Sequence, residues 1–221
     1  MSINLSVNVN KIATLRNSRG GNVPSVTDAV STCLEAGAPG ITVHPRADER
    51  HIRPADVRAI AAQLAEWRRR TGTHPEFNIE GDPRPDLIDM TLETRPDQCT
   101  LVPVTPGEIT SHAGWATQSS SDALAAAIRK LQAAGIRVSL FVDPDEAPVR
   151  WARTLGADRV EFFTEPFARA FQRGSREGRE SFERYAAVAR TAHSIGHALV
   201  GRALWVGLDR AVRDYLAAVT L

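Results

Sequence analysis

The stretch AAGIRVSLFVD, residues 133–143, decides the fold, because a helical pattern ends at a glycine and an apolar strand follows within a few residues. EAGAPGITVH (residues 35–44) and TLGADRVEFF (residues 154–163) repeat this transition. Transitions of this kind that recur along a chain predict parallel strands joined by crossover helices. We expect each glycine to adopt the left-handed conformation that commonly follows a helix. The glycines concerned are Gly37, Gly135 and Gly156.

Short apolar segments alternate with helical patterns along the whole chain. The clearest helix is PADVRAIAAQLAEWRRR, residues 54–70, in which apolar residues recur on one face. No Pro/Ser-rich linker interrupts the alternation, so we predict one domain over residues 1–221. The predicted strands span residues 4–10, 40–45, 76–81, 98–103, 137–143, 159–165 and 194–200. Seven strands are one short of the eight that close a parallel barrel.

We place the missing strand in RTAHSIGHALVGRA, residues 190–203, where a helical pattern meets a strand pattern at His193 and Ser194 with no turn between them. Restoring one βα unit of about 25 to 30 residues would give the usual size of a barrel. We therefore predict an α/β fold, a (β/α)8 TIM barrel whose seventh βα unit is absent between His193 and Ser194. Either residues are missing from the sequence or the unit has been deleted. An open, doubly wound sheet is the alternative fold.

The composition indicates a protein whose partners are small molecules. The 27 basic and 26 acidic residues nearly cancel, so net charge does not indicate a nucleic-acid partner. Two cysteines without metal-type spacing suit a reducing compartment. The sequence shows neither a signal-peptide pattern nor an apolar run of membrane-spanning length. We expect a soluble cytoplasmic protein that binds neither nucleic acid nor membranes.

Polar residues line the predicted strand ends, where parallel barrels carry their reactive groups. Glu80, in FNIEGDP, is the strongest candidate, because a carboxylate after an apolar strand suits a general acid/base. His44 and Arg46 share one side of a strand end and suit proton transfer beside an anion. Glu161 lies inside an apolar strand, where function and a buried ion pair are equally good explanations. Asp143 has the pattern of a turn residue.

Other polar residues leave two interpretations open. Asn8 and Asn10 share a strand face and bind either a ligand or loop backbone. The loop TLRNSRGGN, residues 14–22, offers Arg16 and Arg19 either to an anion or to solvent. Gly196 and His197 suit a phosphate corner at the end of the last strand.

The sequence gives little support for a Schiff-base lysine and no motif for a metal ion. Lys11 and Lys130 are the two lysines of the sequence, which leaves a Schiff-base aldolase few candidates. A divalent ion held by His44, Glu80 and His197 is harder to exclude, although no close-spaced metal motif is present.

Several ordered blocks resemble the pyridoxine 5′-phosphate synthase family of vitamin B6 biosynthesis, over nearly the whole chain. They are VNVNKIATLRNSRGG (7–21), GITVHPRADERHI (40–52), FNIEG (77–81), LETRPDQCTLVP (92–103), GIRVSLFVDPD (135–145) and IGHALVGRAL (195–204). The resemblance implies a (β/α)8 barrel that condenses 1-deoxy-D-xylulose 5-phosphate with 3-amino-2-oxopropyl phosphate. It implies no metal or organic cofactor and a homo-oligomer.

The resemblance also assigns site residues. It implies catalytic roles for His44 and Glu80 and transition-state stabilisation by Glu161. The residues implied to bind the aminoketone phosphate are Asn8, Arg19, Gly196 and His197. Those implied to bind the deoxyxylulose phosphate are Arg46, His51 and Thr110.

The chain departs from the family pattern at three places. Asn10-Lys11 stands where many relatives have Asp-His, which leaves Asn10 a substrate-binding rather than a proton-transfer role. Val104-Thr105 replaces an acidic-basic pair, and a strand ending in another catalytic histidine is expected between His193 and Ser194. The alternatives are a phosphosugar isomerase or epimerase, which could use Glu80 and His44 for proton abstraction, and an inactive barrel that only binds ligands.

Overall fold

The computed structural model describes residues 4–18, 20–104, 113–117, 121–196 and 198–200. Strands and helices alternate along these residues, as predicted. The strands are β1 (Ser6–Asn8), β2 (Gly40–Val43), β3 (Glu76–Gly81), β4 (Gln98–Leu101), β5 (Arg137–Val142), β6 (Arg159–Phe162) and β7 (Ala198–Val200). The helices are α1 (Asn10–Ser18), α2 (Val26–Glu35), α3 (Pro54–Thr71), α4 (Pro85–Thr94), α5 (Ser121–Ala133), α6 (Glu146–Thr154), α7 (Glu165–Arg173) and α8 (Ser175–Ser194).

The described chain divides into two compact units. The first unit contains residues 4–81 and 85–98, and the second contains residues 82–84 and 99–200. In the first unit β1, β2 and β3 pair in parallel and in chain order, with Asn8, Thr42 and Asn78 in register. In the second unit β5, β6 and β7 pair in the same way. The prediction of one domain over residues 1–221 stays a prediction.

Apolar strand residues and one face of each helix form the core. In the first unit Ile41 and Ile79 on the strands and Val57, Ile60 and Leu64 on α3 are buried. These helix positions are three or four residues apart, which places them on one side of α3. Helix α3 begins with Pro54 in its first turn and ends at Gly72, whose φ of 70° is left-handed. The predicted helix over residues 54–70 is confirmed to within one residue.

The glycine that follows a helix is confirmed as the recurring element of the fold. Gly37, Gly135 and Gly156 have φ angles of 95°, 80° and 85°. A residue with a Cβ atom is strained at such angles, whereas glycine is not. Gly196 has the same conformation, with φ 91°, before β7. The helix-to-strand transition therefore also occurs at the junction where no turn was expected.

The predicted boundary at His193 and Ser194 is wrong in its local structure. Helix α8 continues through Ser194, and Ile195 N donates to the carbonyl of Thr191 at 3.2 Å. The turn lies at Ile195 and Gly196, and the strand begins at Ala198 rather than at Ser194. The reason is that the helical hydrogen bonds of residues 175–194 continue to Ser194, and the short apolar segment after it does not form a strand before Ala198.

Candidate active site

Three strands of the first unit bring polar side chains to their carboxyl ends. Asn8 ends β1, His44 follows β2 directly, and Glu80 lies near the end of β3. Parallel pairing sets these positions side by side, because equivalent ends of the strands lie at one edge. His44 and Glu80 are buried, with 7% and 3% of their surfaces exposed. The structure thus brings three of the predicted site residues together, and their roles stay predictions.

One carboxylate oxygen is the centre of this cluster. Asn8 Nδ2 donates to Glu80 Oε2 at 3.5 Å, and His44 Nδ1 lies 3.7 Å from the same oxygen. The Asn10 N–H donates to Asn8 Oδ1 at 3.0 Å. That bond fixes the Asn8 amide with its NH2 group toward Glu80. A carboxylate, an imidazole and an oriented amide are the groups that general acid/base chemistry requires.

Asn10 has a backbone partner in this structure. Its Oδ1 accepts the backbone N–H of His44 at 2.8 Å, and its own N–H binds Asn8. Asn10 therefore joins the start of α1 to the segment after β2 and places His44. The interpretation that Asn10 satisfies loop backbone is supported, and its role in substrate binding stays a prediction.

His51 lies beside His44 in a positively charged surrounding. The two rings are edge to face with centroids 5.9 Å apart. Burial lowers the pKa of His51 to about 4, and the charge of Arg46 acts in the same direction. His51 Nδ1 accepts the Ile52 N–H at 2.9 Å, so the neutral ring carries its proton on Nε2. At neutral pH His51 is thus a hydrogen-bond donor without a charge.

A second polar layer lies one step earlier along the same strands. Ser6 Oγ and Thr42 Oγ1 are 2.7 Å apart, Asn78 Nδ2 donates to Thr42 Oγ1 at 3.4 Å, and Gln98 Nε2 donates to Asn78 Oδ1 at 3.3 Å. These side chains were not singled out from the sequence. Their alternation with apolar residues, as in ITVH and FNIEG, is the signal that could have found them.

Glu161 is a predicted site residue of the second unit. Glu161 is buried on β6, in register with Phe141 of β5 and Val200 of β7. Phe141 and Phe163 form an edge-to-face pair with centroids 5.7 Å apart. The carboxyl ends of these strands are thus largely aromatic. The role of Glu161 in stabilising a transition state stays a prediction.

The structural interpretation of Asp143 is confirmed. Its Oδ1 accepts the Gly114 N–H at 3.0 Å, and its carbonyl accepts the Asp145 N–H at 2.8 Å in a tight turn. Asp145 is the residue that precedes α6.

Three predicted site residues lie outside the described residues: Arg19, Thr110 and His197. Gly196 lies in the turn before β7, at the amino end of that strand, so its predicted place after a strand is wrong. The physical reason is the continuation of α8 through Ser194, which moves the start of the strand four residues downstream, from Ser194 to Ala198. Of the three residues that could converge on a divalent ion, His44 and Glu80 are neighbours, and His197 lies outside the described residues. No cluster of three metal-binding side chains occurs in the part of the chain that the structure describes.

Arg16 does not belong to a flexible anion-binding loop. Residues 10–18 form α1, and the buried Arg16 guanidinium binds the Asp56 carboxylate. Asp56 was missed by the sequence reasoning. Its signal is its place as the third residue of a helix that begins at Pro54, where a carboxylate often receives backbone N–H groups.

Comparison with known proteins then fixes the family. The family of the pyridoxal phosphate biosynthesis protein PdxJ matches residues 5–195. The chain belongs to this family. The predicted resemblance is thereby confirmed.

Relatives with the same name cover almost the whole chain. The pyridoxine 5′-phosphate synthase of Bacteroides fragilis is 43% identical over 96% of this chain and 97% of its own length. That of Bacteroides thetaiotaomicron is 42% identical over the same shares. That of Xanthomonas campestris pv. campestris is 43% identical over 99% of this chain and 97% of its own length.

The lengths of these alignments bear on the junction after His193. The Bacteroides fragilis alignment runs over 238 positions, but 96% of 221 residues supplies only about 212, so about 26 positions have no residue in this chain. The family match also ends at residue 195, next to the junction. The unmatched positions are about as many as one βα unit contains, and the family match ends beside the junction at which we place the absent unit.

Solved structures share the fold at low sequence identity. L-ribulose 3-epimerase superposes with a TM-score of 0.58 at 12% identity, covering 100% of this chain and 94% of that one. D-psicose 3-epimerase from Clostridium cellulolyticum H10 has a TM-score of 0.56 at 8% identity, with 99% and 98% coverage. The α/β fold of (β/α)8 barrels is confirmed, and the open doubly wound sheet is not supported.

No helix of the described residues is both long enough and apolar enough to cross a lipid bilayer.

Proposed function

We propose that this chain is a pyridoxine 5′-phosphate synthase. It would join 1-deoxy-D-xylulose 5-phosphate to 3-amino-2-oxopropyl phosphate and release pyridoxine 5′-phosphate, inorganic phosphate and water. The observation that carries the proposal is the cluster of Asn8, His44 and Glu80 at one end of three adjacent strands. The family match and relatives of this name at 43% identity support it.

Glu80 is the proton carrier in this proposal. Forming an imine and closing a ring require a proton to be taken and returned several times at neighbouring atoms. Glu80 is buried, so its carboxylate exchanges protons with bound groups more readily than with bulk water. His44 Nδ1, 3.7 Å from the Glu80 carboxylate, can pass a proton between that oxygen and the substrate. Asn8 holds the carboxylate in place through its amide NH2 group.

Charged and neutral donors for the phosphorylated substrates flank the cluster. Arg46 is buried beside His51, and a buried guanidinium can bind two phosphate oxygens at once. His51 adds an uncharged N–H. We infer that these two residues bind the deoxyxylulose phosphate together with Thr110. Arg19, Gly196 and His197 remain the proposed ligands of the aminoketone phosphate, with Asn10 as a further substrate contact, and Glu161 as the stabiliser of the transition state.

Product formation tests the proposal. The purified protein is incubated with both precursors, and the products are separated by chromatography. Pyridoxine 5′-phosphate and one equivalent of phosphate are expected, and neither is expected when one precursor is left out. A rearranged or epimerised sugar phosphate formed from a single precursor would refute the proposal and favour the isomerase alternative, which the comparisons do not favour.

The shortened chain gives one further candidate function, a barrel that binds the precursors without joining them. This follows because the resemblance places another catalytic histidine in the unit that is absent after His193. Calorimetric binding of either precursor without product would identify such a module. An intact mass about 3 kDa above 24.1 kDa for the protein from its natural host would show that the sequence lacks this unit.

We infer further that the protein works in the cytoplasm as a homo-oligomer. Cys33 and Cys99 are buried and form no disulfide, which is the state that a reducing compartment maintains. Phe171 of α7 and Phe182 of α8 are 67% and 60% exposed, and such apolar surface is commonly covered by a partner subunit. Light scattering after gel filtration would give a mass above that of one chain. A monomeric mass at working concentration would refute the oligomer.

A further inference from the structure

An ion pair joins the end of α1 to the start of α3. Arg16 lies in the last turn of α1 with 5% of its surface exposed. Both of its terminal nitrogens donate to the Asp56 carboxylate, with 2.9 Å between Nη2 and Oδ2. Asp56 also accepts the Arg53 N–H at 2.8 Å. Because a two-bond arginine–carboxylate pair fixes both distance and angle, α1 sets the position of the first turn of α3.

The same guanidinium holds the backbone of the segment that precedes α3. Arg16 Nη2 donates to the His51 carbonyl at 3.1 Å, and Arg16 Nε donates to Asn17 Oδ1 at 3.0 Å. The second bond orients the Asn17 amide. Asn17 Nδ2 in turn donates to the carbonyls of His51 at 2.8 Å and Glu49 at 3.1 Å. Two side chains of α1 therefore converge on one carbonyl oxygen, that of His51.

The held segment has a backbone conformation that needs support. Glu49 has a φ of 52°, in the left-handed region that residues with a Cβ atom seldom adopt. Its N–H donates to the Arg46 carbonyl at 3.0 Å, and its own carbonyl is bound by Asn17. The segment would not keep this shape through its own preference. The contacts from α1 are therefore what hold it.

The backbone of this segment determines the state of the His51 ring. The Ile52 N–H donates to His51 Nδ1 at 2.9 Å, a bond that exists only while the backbone from His51 to Ile52 keeps its present angles. That bond places the ring proton on Nε2. The ring then stands edge to face against His44 at 5.9 Å.

We propose that Arg16 and Asp56 are positioning residues that hold His51 as an Nε2–H donor beside His44. Neither residue needs to touch a substrate for this role. The kinetic consequence rests on the proposed function, because it concerns binding of the deoxyxylulose phosphate. The state of the His51 ring does not rest on it and can be measured without turnover.

Arg16→Lys tests the inference, with Arg68→Lys as a matched control. Lysine keeps the charge of residue 16 but cannot bind both carboxylate oxygens and the His51 carbonyl in this geometry. Arg68 makes the same kind of contacts at the other end of α3, to Asp97 Oδ2 at 2.6 Å and to the Pro75 carbonyl at 2.9 Å. The control thus removes an equivalent arginine from the same unit while leaving the contacts of His51 intact.

Nitrogen-15 NMR of the histidine rings supplies the first measurement. The His51 signal is the one lost in His51→Gln. At neutral pH, His51 should show a single Nε2–H tautomer in the wild type and in Arg68→Lys. In Arg16→Lys the ring should exchange between its two tautomers. The KM for 1-deoxy-D-xylulose 5-phosphate should rise about tenfold, with kcat changed less.

A folded Arg16→Lys protein with an unchanged His51 signal would overturn the inference. If Arg16→Lys does not fold, Asp56→Asn keeps the shape of residue 56 but removes its charge and the ion pair with Arg16, and the same NMR signal decides. A changed His51 signal in a protein that never forms pyridoxine 5′-phosphate would reject the proposed function and keep the inference. Normal product formation with an unchanged signal would do the reverse.

Discussion

Both units contain parallel strands paired in chain order, but they carry different side chains at the carboxyl ends of those strands. In the first unit an asparagine, a histidine and a glutamate meet at one carboxylate oxygen. In the second unit the corresponding edge carries the ring pair of Phe141 and Phe163, with Glu161 as a buried carboxylate. Parallel register thus only sets positions on neighbouring strands side by side. The residues at those positions decide whether an edge can move protons.

The supports of the strands, in contrast, are alike in both units. Asp97 accepts the N–H of Phe77 at 2.8 Å, and Asp158 accepts the N–H of Val138 at 2.8 Å. Each aspartate lies directly before one strand, β4 or β6, and accepts the N–H of the second residue of the preceding strand, β3 or β5. Each aspartate also binds a long side chain from the helix that precedes the bound strand. Asp97 binds Arg68 of α3, and Asp158 binds Gln132 of α5. The scaffold is repeated where the chemistry is not.

The largest expected effect separates the two carboxylates. Glu80→Gln should lower kcat about 1,000-fold, because the amide keeps the shape but cannot carry a proton. Glu161→Gln should lower kcat about 100-fold, the usual loss when one charge that stabilises a transition state is removed. Steady-state kinetics on both variants make the measurement. Equal losses would contradict the division of roles, and near-normal turnover by Glu80→Gln would remove Glu80 from the mechanism.

The next largest effect should come from Gly114, whose backbone lies against that of Val142 and Asp143 in the second unit. A Cβ atom on Gly114 would lie 2.3 Å from Asp143 N and 2.4 Å from the Val142 carbonyl carbon. Gly114→Ala should therefore cost about 2–3 kcal/mol of unfolding free energy, since backbone must move. Gly21→Ala in the first unit is the control, because nothing lies within 4 Å of its added Cβ. Urea unfolding compares them, and equal stability of the two variants would show that the contact is not tight.

Removing the strand supports should give a smaller effect that differs between the units. Asp97→Ala should cost about 2 kcal/mol and Asp158→Ala about 1 kcal/mol, because Asp97 also binds His74 and Arg68. Burial would raise the pKa of Asp97, but its hydrogen bonds with His74 and the Phe77 N–H outweigh this and lower it. Its stabilisation should then be present above pH 3.8, the ordinary value, and be lost as the pH falls further. Urea unfolding of both variants against pH is the measurement. A greater loss in Asp158→Ala would contradict the ranking.

The smallest effect is a pH dependence confined to the first unit. Because the pKa of His51 is lowered from 6.5 to about 4, the unfolded chain binds a proton in this range that the folded chain does not. Stability should therefore fall as the pH falls from about 6.5 to 4, by less than about 1 kcal/mol after allowance for partial exposure. The groups that set this pKa besides burial are Arg46, Asp48, Arg50 and Lys11, with the His44 ring in contact.

His51→Gln isolates this contribution. The difference in unfolding free energy between wild type and variant should shrink between pH 7 and pH 5, since every other titrating group is common to both. A difference that does not change with pH would show that His51 protonates normally in the folded protein.

Much of the fold and part of the site could be predicted from residue order. The glycines at 37, 135 and 156 and the one-sided apolar pattern of α3 gave the elements, because local conformation depends on near neighbours. Glu80 and His44 were found because polar residues interrupt apolar strands there. The turn at Gly196 was missed, since helix length and strand onset compete over a few residues in that segment.

The sequence by itself determined the alternation of strands and helices, the family, and the residue types at the strand ends. Tertiary structure decided which of those residues share an oxygen and which serve only the backbone. Arg16 shows the difference: its sequence context predicts a cation in a loop, open to an anion or to solvent, whereas folding buries it against Asp56, forty residues away. Contacts between distant residues depend on the packing of whole elements, and a local pattern carries no record of that packing.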